Sequence, residues 1–483
     1  MYMIFNHCIC FTLLTYASLF LSIAQGNDDV AVPAAGNDDG VVHCNHTLAT
    51  NAEWAKQMTI ADDLRHTGKY DEAAVAYTTA AEGVGAEADR DLCLAVRLGD
   101  LAERYSAQSQ YARAEPLCRR SVHIFEAAGG VQSQWFPKYL NQLGRIYENT
   151  ARYAEAEPIY RRDLAILEQT KGRASMDFVA AKNDLGSLYY HTARYVEAEQ
   201  LFHETLAVSR QLSPPHIPSV VNSINNLATV YVAQGRNSEA EPLFTECLRM
   251  AQTAPEVKGI DEATARRNLG KLYLKESRLN EAEAMFRRSL TVCERELGTD
   301  HPDTAFSLSG LAAVYGSRGR YQEAEDLHSR ALRVIEKTLG PNQPGYALGL
   351  TDLAHVYFRE EKYDKAGALF RQALNIFESR LGPEHPHVAI TINDLAVMEF
   401  CQKHFNEAES LYRRALDVLD KPPIVAPRQA ATTMLNYASL LRAMKRKQEA
   451  KQLEARAKQL QGAQPGVDPS RFLVDIRDMT HKN

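Results

Sequence analysis

One helical pattern returns along this chain at a nearly constant interval. The stretch "YAEAEPIYRRDLAI" from Tyr153 has close copies in "YVEAEQLFHETLAV" from Tyr195, "NSEAEPLFTECLRM" from Asn237 and "LNEAEAMFRRSLTV" from Leu279. If the first residue of each copy is its anchor, the ten anchors are Tyr70, Tyr111, Tyr153, Tyr195, Asn237, Leu279, Tyr321, Tyr363, Phe405 and Lys447. The first interval is 41 residues and the next eight are 42. This period predicts a solenoid of stacked units rather than one compact core.

Each unit is predicted to contain two amphipathic helices. The first precedes the anchor and carries a Leu ten residues before it, followed by Gly or Ala: Leu101, Leu143, Leu185, Leu227, Leu269, Leu311, Leu353 and Leu395. The small residue lets a partner helix approach closely. The second helix carries Ala at anchor plus 3, an aromatic at plus 7 and a small residue at plus 10, as in Ala198, Phe202 and Thr205. These spacings place all three on one helical face.

The segments between units combine helix stop and start signals. In "LGTDHPDTA" (Leu297 to Ala305) and "LGPEHPHVA" (Leu381 to Ala389), Gly follows one helix and Pro opens the next. His301 and His385 stand directly before these prolines at the same repeat position. Because the pair recurs with the repeat, an architectural role is favoured over a catalytic or ligand-binding one.

The ends of the chain differ from the repeats. Residues 9–23 form an uncharged apolar run followed by small residues, which predicts a signal peptide over residues 1–26 with cleavage after Ala24 or Gly26. The first basic residue is Lys56, so an uncleaved membrane anchor remains the alternative. Residues 27–51, which include a glycosylation sequon at Asn45, are expected to be a flexible acidic linker, 52–461 the solenoid, and 462–483 a flexible tail. Both readings place the bulk of the chain outside the cytoplasm, either periplasmic or secreted.

Composition and motifs exclude several classes of function. The chain carries 55 basic and 61 acidic residues, a net charge of -6, so no nucleic-acid or anionic-membrane partner is expected. We find no GxxxxGK[ST], HExxH, GxSxG or paired CxxC motif, and we expect no enzyme, no cofactor and no metal site. The number of cysteines outside the predicted signal peptide is even, which is compatible with disulfide bonds. However, Cys118, Cys247 and Cys293 replace core residues of the repeat, so we expect them to be free and buried.

The repeated motif resembles a known family. A Leu-Gly/Ala-x-x-Tyr helix followed by Tyr-x-x-Ala-x-x-x-Phe/Tyr-x-x-Ala is similar to the tetratricopeptide repeat, from about Ala52 to Gln461. The 42-residue period and the "LGPEHP" connector resemble the longer variant of kinesin light chains. The pattern departs at Glu399 and Leu441, which replace its Tyr. The resemblance implies an all-α, right-handed solenoid of about ten antiparallel helix pairs.

The resemblance also implies where a partner binds. First helices of such proteins line a concave groove with the residues at 15, 12, 8, 5 and 4 before the anchor, and Asn in these columns binds the backbone of an extended peptide. The candidate groove residues are Asn141, Arg145, Asn183, Tyr190, Asn225, Arg267, Lys271, Lys275, His355, Phe358, Arg359, Asn393 and Phe400.

The composition of these columns suggests the chemistry of the partner. From repeat 3 onward they contain seven Lys or Arg but a single acid, Glu148, and from repeat 7 they also contain Phe306, Leu348, Phe358, Ile390, Val397 and Phe400. We therefore expect a protein or peptide partner that is acidic and has an apolar anchor. The predicted function is an exported scaffold for protein–protein interaction. The alternatives are a regulatory subunit of an enzyme complex and a self-associating structural protein.

Overall fold

The computed structural model describes residues 52–211, 216–254, 259–420 and 426–462. Within these ranges the chain forms twenty α-helices and no β-strand. The helices are α1 (Ala52–His66), α2 (Tyr70–Val84), α3 (Leu92–Ala107), α4 (Tyr111–Ala127), α5 (Trp135–Asn149), α6 (Tyr153–Thr170), α7 (Met176–His191), α8 (Tyr195–Gln211), α9 (Ile217–Gln234), α10 (Asn237–Thr253), α11 (Gly259–Lys275), α12 (Leu279–Glu296), α13 (Pro302–Ser317), α14 (Tyr321–Thr338), α15 (Pro344–Arg359), α16 (Tyr363–Leu381), α17 (Pro386–Cys401), α18 (Phe405–Leu419), α19 (Pro427–Ala443) and α20 (Lys447–Gly462). Short 3₁₀ helices follow α2 (Gly85–Arg90) and α4 (Gly130–Gln132).

The helices form the ten predicted pairs. All ten even-numbered helices begin at the anchor residue read from the sequence. Apart from α7, each odd-numbered helix packs against the even-numbered helix that follows it, and each even-numbered helix other than α6 packs against the next pair. The predicted all-α solenoid is confirmed. The described chain divides into two compact units, one up to Leu185 and one from Gly186.

A left-handed residue separates the two helices of every pair. It lies two residues before each anchor, with φ between 51° and 81°: Gly68, Ser109, Ala151, Ala193, Gly235, Ser277, Gly319, Glu361, Lys403 and Lys445. The next backbone N–H then donates to a carbonyl five residues back, as from Arg194 to Tyr189 over 2.8 Å. This is the hydrogen bond of a Schellman motif, which ends the first helix and reverses the chain. Only three of the ten positions are Gly, so glycine alone would not locate the turn.

Close approach of the two helices depends on the small residue nine before the anchor. A Cβ on Gly144 would lie 2.6 Å from Cε1 of Tyr160, and one on Gly186 would lie 2.6 Å from Cε1 of Phe202. Both rings are fully or almost fully buried. Every Leu of the preceding column is buried as well. The predicted packing of small residue, Leu and aromatic is therefore confirmed.

The repeated histidines of the connectors cap helices. Nδ1 of His301 accepts from the backbone N–H of Asp303 at 3.2 Å, and Nδ1 of His385 accepts from that of His387 at 3.1 Å. The first turns of α13 and α17 each have four N–H groups without a carbonyl partner in the helix, and the imidazole satisfies one of them. The predicted architectural role of both residues is confirmed.

The cysteines divide into two groups. Cys118, Cys247 and Cys293 are free and buried, as predicted, while Cys401 is half-buried at the end of α17. The remaining described cysteine, Cys93, is disulfide-bonded. None of the first three cysteines is its partner, since they are free.

The last helix closes the array, and the chain ends lie outside the described residues. Ala450 and Ala457 of α20 are fully buried, and Ala457 packs with Ala431 and Met434 of α19. The predicted signal segment, linker and tail fall almost entirely in residues 1–51 and 463–483, which are not described. In the part of the chain that is described, no helix is both long and apolar enough to cross a membrane.

The close helix contact predicts the effect of enlarging Gly144. Replacing Gly144 by Ala forces Tyr160 out of its buried position, and we expect a loss of about 1–3 kcal/mol of unfolding free energy. Gly316 is the matched control because a Cβ there would have its nearest neighbour at 4.0 Å. Gly316→Ala should be neutral or stabilising by up to about 1 kcal/mol, since Ala favours helix. Thermal and urea unfolding followed by circular dichroism compares them, and equal stability of the two variants would contradict the packing argument.

Candidate peptide-binding face

Hydrogen bonds connect successive first helices at one constant spacing. Each joins a residue to the residue 43 positions later: Asn141 Nδ2 to Asp184 Oδ2 (2.8 Å), Asn268 Nδ2 to Asn225 Oδ1 (2.6 Å), Lys275 Nζ to the Val232 carbonyl (2.8 Å), Arg359 Nη1 to the Gly316 carbonyl (3.3 Å) and Asn436 Nδ2 to Asn393 Oδ1 (3.2 Å). Because the spacing is one repeat plus one residue, these bonds run along one face of the first helices. We call this surface the first-helix face.

In the unit that ends at Leu185, this face carries carboxyl groups. The Tyr160 hydroxyl donates to Glu148 at 2.7 Å. Burial raises the pKa of Glu148 to about 7, against the effect of the tyrosine hydrogen bond. On the second helix α6, burial also raises the pKa of Asp163 to about 7, and the neighbouring charge of Asp184 adds to the rise. Arg145 is half-buried beside Glu148 and Asp184 and stabilises their charged forms.

In the unit from Gly186, the predicted cations are paired within the protein. Arg267 is 8% exposed and forms an ion pair with Asp303 at 2.7 Å. Lys271 is buried near Asp352, whose pKa is raised to about 7 by burial and lowered in part by this lysine and His355. The expected excess of positive charge is therefore largely compensated. The columns used for the sequence argument missed the acids because Asp352 stands eleven residues before its anchor and Asp303 eighteen.

His355 belongs to a buried Asp–His pair. Its Nε2 lies 3.2 Å from Oδ2 of Asp394, and its ring meets Phe370 edge-on at 5.1 Å. Burial alone would lower the pKa of His355, but the negative charges of Asp394 and Asp352 outweigh it and raise the pKa. Neighbours inside the protein thus favour the charged form of His355. No group of His, Cys, Asp or Glu in the described ranges has the geometry of a metal site.

The prediction that the apolar residues of these columns are exposed to a partner is wrong for four of the six, while Phe306 and Ile390 are half-buried. Phe358 and Phe400 are each 6% exposed, and Leu348 and Val397 are buried too. The Phe358 ring packs on Tyr363 at 5.6 Å and the Phe400 ring on Phe405 at 5.9 Å. The column five before the anchor therefore faces the anchor of the same repeat. Large exposed hydrophobic side chains of the described chain are instead Ile60, Val75 and Val196, none of which belongs to this column.

The asparagine column is also largely enclosed. Asn183, Asn225 and Asn393 are 7–8% exposed, whereas Asn141 is half-buried. Tyr190 keeps more exposure than the phenylalanines of its column and packs on Tyr195 at 5.9 Å. The structure thus places the candidate residues along the first helices, with Asn141, Arg145, Tyr190, Lys275 and Arg359 as the more accessible members. Their role in binding stays a prediction.

A second ladder, which the sequence argument missed, follows the turns between the paired helices. Arg278, directly before its anchor, pairs with Glu281 of the same repeat at 2.6 Å and with Glu241 of the preceding repeat at 2.8 Å. Its guanidinium also lies 4.0 Å from the ring centroid of Tyr273. Arg152 and Arg236 have the same three kinds of partner. We call this the arginine ladder.

The arginine ladder explains the letters "EAE" in the repeated motif. The first Glu binds the Arg of its own repeat and the second binds the Arg of the next one, as Glu239 and Glu241 do. The arginine hydrogen bond holds the pKa of Glu239 below its usual value, and the same holds for Glu241. The recurrence of Arg before the anchor in "RYAEAE", "RNSEAE" and "RLNEAE" was the signal available in the sequence.

The fold and its ladders define a helical-repeat protein in which each pair is joined to the next. Sequence profiles described as tetratricopeptide repeat match residues 94–130, 140–174, 177–253, 261–337, 308–354 and 345–421, more than half of the chain. The chain belongs to the tetratricopeptide repeat family. This membership supports a scaffold for protein–protein interaction, since the fold is generally non-catalytic.

Several solved structures are similar to parts of the chain. BtubC (BKLC) from P. vanneervenii is 24% identical with a TM-score of 0.40, over 49% of this chain and 94% of that protein. A Podosopora anserina putative kinesin light chain with nearly identical TPR-like repeats is 23% identical with a TM-score of 0.33, over 41% and 95%. A Rap protein complexed with Competence and Sporulation Factor is 14% identical with a TM-score of 0.47, over 76% and 97%. Comparison with curated protein sequences gave no significant match.

The arginine ladder predicts unequal effects of two arginine substitutions. Arg278→Ala removes three ion pairs, of which the one with Glu241 joins two repeats, and a stacking contact with Tyr273. We expect a loss of about 1–2 kcal/mol of unfolding free energy. Arg295 is the control because it is exposed and its ion pair joins it to the adjacent Glu296 of the same helix. Arg295→Ala should change stability by less than about 0.5 kcal/mol. Urea unfolding measures both, and a smaller effect at Arg278 than at Arg295 would contradict the role of the ladder.

Proposed function

We propose that this protein is an exported scaffold that binds an extended peptide segment of a partner along its first-helix face. The observation that carries the proposal is the recurrence of amide and charged side chains along this face at one register. Among the candidate asparagines of this face, half-buried Asn141 is the most accessible to the backbone of a peptide. Amide side chains suit this role because each offers a donor and an acceptor.

On the other surfaces, charged side chains form ion pairs between neighbouring repeats. Ion pairs join successive second helices, as in Arg210 with Glu246 and Arg456 with Asp420. The arginine ladder occupies the turns. A partner at either place would have to replace ion pairs that hold neighbouring repeats together, whereas on the first-helix face it would meet single hydrogen bonds between repeats and the half-buried Tyr190. This difference favours the first-helix face.

The partner chemistry follows from the accessible cations. Lys275 and Arg359 are half-buried on the first-helix face, and each donates to a main-chain carbonyl. They favour an acidic segment, while Arg267 is committed to Asp303. Because Phe358 and Phe400 are buried, the proposal includes no apolar anchor at these rings.

The export part of the proposal rests on two observations. Residues 9–23 are apolar and uncharged, and Cys93 is disulfide-bonded. Structural disulfides persist in oxidising compartments such as the periplasm or the extracellular space.

Peptide selection tests the binding face. Random twelve-residue peptides displayed on phage are selected on the whole protein, and their affinities are measured by calorimetry. For Lys275→Gln combined with Arg359→Gln we expect affinity to fall about 5- to 30-fold and to depend less on salt. The matched control is Arg288→Gln combined with Arg371→Gln, two exposed cations on second helices, which should bind as the unaltered protein does. If both double variants bind alike, the first-helix face is not the peptide site.

Export has its own test. Terminal sequencing of the protein from its native host should find a mature chain that begins near Gln25 or Asn27, because cleavage follows the small residues after the apolar run. A membrane-bound product that begins at Met1 would instead support the anchor, and a soluble cytoplasmic product would contradict export.

A further inference from the structure

One contact joins repeats that are far apart in the sequence, within the unit from Gly186. The guanidinium of Arg428, at the start of α19, donates to the main-chain carbonyl of Ala233 near the end of α9, 195 residues earlier. The same guanidinium lies over the ring of Tyr195, at the start of α8, with 5.5 Å to its centroid. Because the helices between them pack in chain order, this contact closes the intervening repeats into a ring. We call it the ring contact.

Three histidines accompany the ring contact. On one side, His191 packs edge-on against Tyr190 at 5.5 Å. On the other side, His385 and His387 stack at 5.1 Å, and His387 stacks on Phe377 at 5.4 Å. His191 lies close enough to lower the pKa of both His385 and His387, so the three imidazoles form one electrostatic group across the ring contact.

Burial disfavours the charged form of all three imidazoles. His191 and His387 keep some solvent exposure, but neighbouring helices remove most of their hydration. This burial lowers the pKa of His191 to about 4 and that of His387 to about 4, and His191 adds to the second shift. Burial, with the two other histidines, also lowers the pKa of His385.

The nearby charged groups do not favour histidinium. Arg428 adds a positive charge at the ring contact. On α8, Glu197 is paired with Arg194, and on α16, Glu378 is paired with Arg414. Glu384 is exposed in the connector before His385. The pKa shifts of the three histidines come from burial and from one another, so protonation would place like charges against each other.

We propose that the ring contact is an acid-opened closure, which holds the ring shut while the three imidazoles are neutral and releases it when they take up protons. The proposal concerns a conformational device of the fold and does not depend on the peptide-binding proposal. Its consequence is that access to the first helices inside the ring depends on pH.

The direction of the pH effect follows from proton linkage. An imidazole released into water has a pKa near 6.5, so the open form binds more protons than the closed form below that pH. The stability of the closed form is fully present above about pH 6.5 and is lost as the pH falls toward about 4. At pH 5, each fully released histidine shifts the equilibrium toward opening by up to about 30-fold.

Hydrogen exchange of the whole protein tests the closure. At pH 7.5, Arg428→Ala should raise amide exchange at residues 190–195 and 231–236 by at least about tenfold, because the contact that holds these segments is lost. Amides within α13 serve as the internal reference. The control Arg456→Ala removes an exposed arginine of the neighbouring helix that pairs with Asp420, and it should leave these segments unchanged. Unchanged exchange in Arg428→Ala would overturn the ring contact as a closure.

The histidines are tested by the pH dependence. Between pH 7.5 and pH 5.0, after correction for intrinsic exchange rates, the unaltered protein should gain at least about tenfold exchange at the same segments. The triple variant His191→Gln, His385→Asn, His387→Gln should gain less than about threefold, and Asn at 385 retains a cap for α17. Circular dichroism confirms that helicity is intact. If the triple variant opens with acid as the unaltered protein does, the histidines are not the sensor.

Discussion

The packing of a small residue against an aromatic ring inside most helix pairs is the constraint on which the rest of the structure depends. Where Gly144 meets Tyr160, or Gly270 meets Phe286, there is no space for a further carbon atom. This contact sets how closely the two helices approach, and the left-handed turn before the anchor sets where the second helix begins. With both fixed, each repeat presents its second helix to the next pair at the same position.

The ladders between repeats follow from that constant geometry. Because the pairs share one geometry, the ion pair of Arg278 with Glu241 lies at the same repeat positions as that of Arg236 with Glu199. Hydrogen bonds between first helices likewise keep a spacing of one repeat plus one residue. Single exposed ion pairs contribute little. A network of arginine, two carboxylates and a tyrosine ring repeated along the chain has more effect, since each contact orders the side chains that the next one uses.

The sequence was sufficient for the parts of the fold that repeat. All ten second helices begin at the residue taken as anchor, because the period and the spacing of Ala, aromatic and small residues leave one register. The recurrence of His301 at one repeat position also indicated an architectural residue rather than a ligand. The candidate face was harder to predict. Counting charges in five columns missed Asp352 and Asp394, which stand one residue outside a chosen column yet lie close to His355. The rings of Phe358 and Phe400 were counted as exposed because a column cannot show that a side chain turns toward its own anchor.

The repeat pattern of the sequence did not predict the ring contact. In an open solenoid each repeat contacts only its neighbours, and one interface can loosen while the others remain intact. Arg428 makes the unit from Gly186 different, because it binds α9 and α8 across many repeats. Any change in the angle between two repeats inside the ring must then either strain the other interfaces or break this contact. A segment that binds to the first helices and alters their spacing would therefore be coupled to the closure, and the histidines at that contact would make the coupling depend on pH.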